Sequence, residues 1–199
     1  MPHKLLRRAT ALTLIATALL APSVSSGAAP EKGVVRMAKA HVAQAECPNA
    51  DVMPSAHNEG VVRAAILCLH NQLRAQRGLP ALRENARLRK AAVAHSADMV
   101  RRGYFEHTAP GGVSMVDRIM AARYASRNVG WALGENLAWG TGKLATPRLI
   151  MRAWMDSPGH RANVVKRAYR EIGIGVVTGT PSAADHGATY TADFGVIRR

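Results

Sequence analysis

Two segments decide the fold class: Glu171-Ile172-Gly173-Ile174-Gly175-Val176 and, after a turn-rich loop, Tyr190-Thr191-Ala192-Asp193-Phe194. In the first, Ile172, Ile174 and Val176 alternate with small residues; in the second, Tyr190, Ala192 and Phe194 alternate with polar ones. A period of two is what a strand imposes on its side chains, so two strands are expected to face each other across the loop from Thr178 to Gly187. Upstream the period lengthens. Val62, Ile66, Leu69 and Leu73 recur at spacings of 4, 3 and 4 from about Glu59, until Gly78 and Pro80 stop the run, the pattern of a helix burying one face. Asn85 is placed to cap a second helix, on which Leu88, Ala91, Ala92, His95 and Met99 share a side and which Gly103 closes. Helices followed by a terminal hairpin predict an α+β fold and argue against a doubly wound parallel sheet.

The intervening segments are read from their punctuation. Tyr104 to Gly112 is a loop, and Ser114 with Asp117 three residues on predicts a capping box opening a third helix through about Tyr124. Gly130 to Gly142, with four glycines, reads as loop or short strand. Thr146-Pro147 predicts an N-cap with proline in the first turn of a helix carrying Trp154. Ser157-Pro158 repeats that signature and puts His160 and Asn163 one turn apart on a short helix. Residues 29–58 carry scattered prolines and no lasting periodicity, so a loosely structured leader is expected there, with the ordered domain over 59–199.

With 199 residues, 48% hydrophobic and 20% charged, the chain suits one globular domain and excludes collagen, coiled coil and low-complexity disorder. Its start, Met1 to Arg8 with Lys4, Arg7 and Arg8, leads into an apolar run from Ala9 to Ala21 and then a Ser/Gly/Ala cluster. That layout predicts a secretory signal peptide over residues 1–28 and a secreted, extracellular protein. The run is too short to span a bilayer comfortably, and no transmembrane span is expected in the mature protein. Removing residues 1–28 lowers the formal charge from +14 to +11. Such a balance suggests basic adhesion to an anionic cell wall. Aromatic residues are only 5% and are not interleaved with a basic stripe, which argues against sequence-specific nucleic-acid binding. Cys47 and Cys68 are the only cysteines; in an exported chain they read as one disulfide, with two buried thiols as the alternative.

Three side chains carry the chemistry: His107 in a glycine-edged loop, Glu135 in Gly134-Glu135-Asn136, and His160 at a helix N-terminus. Two imidazoles with a carboxylate beside them suit a zinc site that keeps a position for water. Spacing alone does not show that they meet. Ser157 with His160 and Glu135 contains the residue types of a hydrolase triad, but Ser157 stands where a helix cap is expected and no nucleophile elbow surrounds it. His95 lies on an apolar helix face and reads as a core histidine, and Asp117-Arg118 as surface or structural charge pairing.

A set of blocks in order resembles a known family: Asn71-x-x-Arg74 with Gly78-Leu79-Pro80-Ala81-Leu82, Ala94-His95-Ser96-Ala97-Asp98-Met99, Phe105-Glu106-His107, Gly134-Glu135-Asn136-Leu137-Ala138, Trp154 to Asn163, and Gly173-Ile174-Gly175 followed by Tyr190 to Phe194. They are similar to the bacterial secreted branch of the CAP superfamily (cysteine-rich secretory protein, antigen 5, pathogenesis-related 1; the SCP domain). The resemblance implies an α-β-α sandwich with a small antiparallel sheet between helical layers. It also implies a surface cleft of two histidines and two acids that binds zinc or another divalent cation in several members. His107 and His160 match the histidines, and Glu135 matches the first acid and the candidate catalytic base. The second acid has no match, because Ser157 stands at its position and Asp156 is one place off. The expected function is a divalent cation in the cleft together with a small-molecule, lipid or cell-envelope ligand. A zinc-dependent hydrolase using His107, His160 and Glu135 is the alternative.

Overall fold

The computed structural model describes residues 46–126, 128–184 and 186–198; the expected signal peptide, and the leader up to residue 45, lie outside them. The elements in chain order are α1 (Glu59–Ala75), β1 (Arg83–Glu84), α2 (Ala86–Arg102), α3 (Met115–Ala121), β2 (Gly130–Thr141), a 3₁₀ turn (Gly142–Ala145), α4 (Pro147–Asp156), α5 (Pro158–Val164), β3 (Glu171–Thr178) and β4 (Gly187–Arg198). The sheet runs β1-β3-β4-β2. β4 pairs antiparallel with both β3 and β2, and the two-residue β1 lies parallel to β3.

The alternation along β3 and β4 assigns each face its layer. Ile172, Ile174, Tyr190, Ala192 and Phe194 enter one core with Val62, Ile66, Leu69 of α1 and Ile150, Met151, Trp154 of α4. On the other face α2 lies against the backbone of β3, because Gly173 and Gly175 have no Cβ. One at Gly173 would run into the Leu88–Arg89 peptide and one at Gly175 into Ala92. A smaller core of Leu88, Ala91, Ile119 and Tyr124 joins α2 to α3 on this side. The helical layers on both faces are those of an α-β-α sandwich. The third helix ends at Ala121, one turn earlier than expected, though its Ser114–Asp117 capping box is present.

The expected loop at 130–142 is instead a twelve-residue strand, β2, paired with β4 from Gly130↔Arg198 to Thr141↔Gly187. Its glycines are not turns: Gly134 leaves room for Tyr169 and Asn163, which a Cβ would strike. Three carbonyls of β2 accept side-chain donors: Leu133 from the Tyr169 hydroxyl (2.7 Å), Glu135 from Asn163 Nδ2 (3.1 Å) and Leu137 from Trp154 Nε1 (3.0 Å). The buried Arg74 guanidinium donates to the carbonyls of Pro80 (2.8 Å), Val164 (2.8 Å), Lys166 (3.1 Å) and Tyr169 (3.3 Å), fastening the end of α1 to the turn after α5.

Cys47 and Cys68 form a disulfide with Cα atoms 5.7 Å apart. Beside it, Ala50 is buried, Arg148 N–H bonds the Ala50 carbonyl (2.8 Å), and Arg148 Nε meets Asp51 at 2.8 Å. The bridge closes a loop of sequence separation 21, so loop-closure entropy assigns it about 3 kcal/mol. Cys47→Ala/Cys68→Ala should lose about that much in urea unfolding. Full alkylation of both thiols in the unreduced, denatured protein would show that no bridge forms.

His70 sits in the main core between the Trp154 and Phe194 rings, both 5.6 Å away. Its Nδ1 donates to the Ile66 carbonyl at 2.9 Å, and among the described residues its buried Nε2 has no partner. Burial holds its pKa down, to about 4. The unfolded chain takes up a proton that the folded one refuses, so stability is full above about pH 6.5 and falls as pH drops toward 4, by about 3 kcal/mol. His70→Leu should flatten this part of the acid-unfolding curve; an unchanged slope would place the acid sensitivity elsewhere.

Candidate functional site

The site is assembled on the loop after α2. His95, buried on α2, donates Nε2–H to the Glu106 carbonyl (3.0 Å), and the Tyr104 hydroxyl donates to Asp98 (2.7 Å). Burial keeps the His95 pKa below that of ordinary imidazole. From α3, Arg118 donates to the carbonyls of His107 (3.0 Å) and Val113 (3.1 Å). The loop is thus tied at both ends, and it presents His107 with its side chain 57% exposed.

His107 Nδ1 lies 2.8 Å from Glu135 Oε1, and Arg118 reaches Glu135 Oε2 at 2.7 Å. The Glu135 side chain is only 2% exposed. Burial alone would raise its pKa, but the bonds from His107 and Arg118 outweigh burial and lower it. The bond to Glu135 in turn raises the pKa of His107. In neutral His107 this bond places the proton on Nδ1 and leaves the Nε2 lone pair for the cleft.

His160 arrives from α5, whose first turn is docked on β2. Asn136 Nδ2 donates to the His160 carbonyl (3.0 Å), and Asn163 Nδ2 bonds Asn136 Oδ1 (2.9 Å). Partial burial, and next the charge of His107, lower the His160 pKa, so the two imidazoles share one electrostatic environment. An open cavity of about 280 Å³ adjoins His160, lined among others by Phe105, Leu137, Trp139, Trp154 and Ser157. A larger one, about 410 Å³, lies behind the loop against His95, Asp98 and Arg118, and its lining includes neither His107 nor His160.

The expected residues therefore separate into groups. His107 and Glu135 are in contact and His160 is their neighbour. Ser157 shares the cavity with His160, but among the described residues its hydroxyl bonds neither His160 nor Glu135, and it makes no side-chain cap at the start of α5. Asp156 is exposed and 3.7 Å from Arg152, so it does not replace the missing acid. Among the described residues no three His, Cys, Asp or Glu side chains converge as a metal-holding group. Sequence reading missed Arg118, taken as a surface or structural charge, whose side chain is 10% exposed and joined to Glu135. It also missed Asp193, taken as the polar side of a strand, which is fully buried. Gly173, opposite Asp193, and Gly175, opposite Thr191, let a helix cover that face and were the available signal.

The model of the cysteine-rich secretory protein family, CAP, matches residues 67–194. The chain belongs to the CAP family. Among curated relatives, this CAP domain is similar to the YkwD protein of Bacillus subtilis, with 32% identity over 126 residues. The match covers 63% of this chain and 44% of YkwD, so the chain spans less than half of that relative's length. Among solved structures, an extracellular SCP-domain protein of Bacillus anthracis aligns at TM-score 0.58 and 26% identity, over 71% of this chain and 41% of that one. An outer surface protein of Borrelia burgdorferi shares the fold at TM-score 0.56 and 20% identity, over 73% and 97%.

The Glu135 contact yields a prediction that needs no ligand. Glu135→Gln removes the negative charge while keeping side-chain size, so the His107 ring pKa, raised by its bond to Glu135, should fall. An ¹⁵N NMR titration of the imidazole would read this, and an unchanged midpoint would show that Glu135 does not set the charge of His107.

Proposed function

We propose that this is a secreted CAP domain whose cleft takes one divalent cation on His107 and His160, beside a cavity for a small apolar or envelope-derived ligand. The observation that carries the reading is the His107–Glu135 bond. A carboxylate on one ring nitrogen fixes the tautomer and raises the basicity of the other, an arrangement that favours metal ligation. His160, whose pKa is lowered, is neutral and able to ligate near neutral pH. The extracellular description of the similar Bacillus anthracis protein supports secretion.

The donor set fits a weakly held zinc-class ion. It offers two imidazoles, and Ser157 in place of a second acid leaves the protein shell incomplete. Bound there, the cation would act as a Lewis acid and an anchor for an anionic or carbonyl group. This chain's own residues do the orienting: Glu135 holds His107, Arg118 holds Glu135, and Asn136 with Asn163 seats the helix that bears His160. Because both Glu135 oxygens are occupied and its side chain is buried, ligand binding is better supported than hydrolysis with Glu135 as base.

Zinc titration by calorimetry tests this reading. One weak site is expected, with affinity reduced at least about tenfold in His107→Ala and in His160→Ala. A proton on His107 competes with the cation, and the His107 pKa is raised, so binding should already weaken as pH falls through a value above 6.5. Unchanged binding in His160→Ala would overturn the assignment.

A further inference from the structure

Asp193 is the central strand's buried acid. It stands directly opposite Glu135 in the β2–β4 register, and its neighbour on β3 in the same row is Gly173, which has no side chain. Asp193 is 0% exposed, and among the described residues neither of its carboxylate oxygens receives a hydrogen bond from a donor. The charged and titratable groups around it are Glu135 of β2 and Arg118 of α3, with His95 of α2 and His107 of the loop acting on the same Glu135. The nearby hydroxyls of Ser96 and Thr191 are engaged with each other at 2.8 Å.

An ionised carboxylate here would be a buried anion without a donor, beside a second carboxylate. Either condition is strongly unfavourable. Its natural partner would be Arg118, whose buried Nε has no partner among the described residues, yet the structure turns that guanidinium to Glu135. A proton resolves the arrangement. Two carboxylates that touch repel, whereas a carboxylic acid beside a carboxylate donates to it. The Asp193 carboxyl is within hydrogen-bonding reach of Glu135. Burial, and next the charge of Glu135, raise its pKa well above the ordinary carboxylate range.

We propose that Asp193 is a second, buried acid beneath the cleft, supplied from strand β4, and that it acts as a neutral donor to Glu135. It is a positioning residue. Its proton occupies one lone pair of Glu135, so that the remaining ones are aimed at His107 and Arg118. The pair carries a single negative charge, shared beneath the cleft. This inference does not depend on whether a cation binds.

The test compares wild type with Asp193→Asn, which keeps a donor and cannot ionise, in chelator-treated protein. The unfolded chain loses the Asp193 proton near pH 4, whereas the folded chain retains it, so holding it neutral costs stability as pH rises above that value. Asp193→Asn should therefore have a higher Tm than wild type at pH 7, with that gain gone at pH 3. Its His107 ring pKa should be unchanged. The Asp193 ¹³Cγ shift in wild type should stay that of a carboxylic acid from pH 5 to 8. A carboxylate shift at pH 7, or a lowered His107 pKa in Asp193→Asn, would show that Asp193 is an anion and overturn the proposal. If Asp193→Asn fails to fold, the ¹³Cγ titration of wild type decides alone.

Discussion

Strand β4 has no solvent-facing side: from Gly187 to Gly195 every residue is buried. One face meets α1 and α4 through Tyr190, Ala192 and Phe194, and the other lies under α2. The second contact requires the glycines of β3, because a helix cannot approach a strand that carries side chains as closely as it approaches Gly173 and Gly175. Everything in the site follows from that covering. It buries Asp193, it brings His95 to the carbonyl of Glu106, and it fixes where the loop carrying His107 leaves α2.

The electrostatics of the cleft form a chain of charges passing inward from solvent: exposed His107, buried Glu135, and Arg118 behind it. A buried ion pair contributes little net stability, because desolvation offsets the attraction, but breaking it by removing one partner is costly. The pair therefore serves mainly to hold a geometry. Glu135 cannot turn away from His107 without abandoning Arg118, and Arg118 is also bonded to the loop at His107 and Val113.

The hairpin of β3 and β4 and the faces of α1 and α2 were legible because their burial is apolar and periodic. The strand β2 was not. Glu135 and Asn136 are buried polar residues at its centre, so its alternation is broken at the candidate site, and their partners Arg118, Asn163 and the His160 carbonyl are 17 to 28 residues away in sequence. Their adjacency in sequence suggests that Arg118 pairs with Asp117, yet neighbouring residues on a helix point in different directions. Asp117 instead closes the capping box with Ser114. His107 and His160 were visible as residue types in family blocks, but only the fold brings the first onto Glu135.

The side-chain donors on β2 have a further effect. β2 is the last strand of the sheet, and an unpaired outer edge offers its backbone as a template for another chain. Here the carbonyls of Leu133, Glu135 and Leu137, at every second residue, are already taken by Tyr169, Asn163 and Trp154. At the opposite border β1 is only two residues long. With those acceptors occupied, β2 is a poorer template for a neighbouring strand, so the groups that seat the His160 helix also work against edge-to-edge self-association.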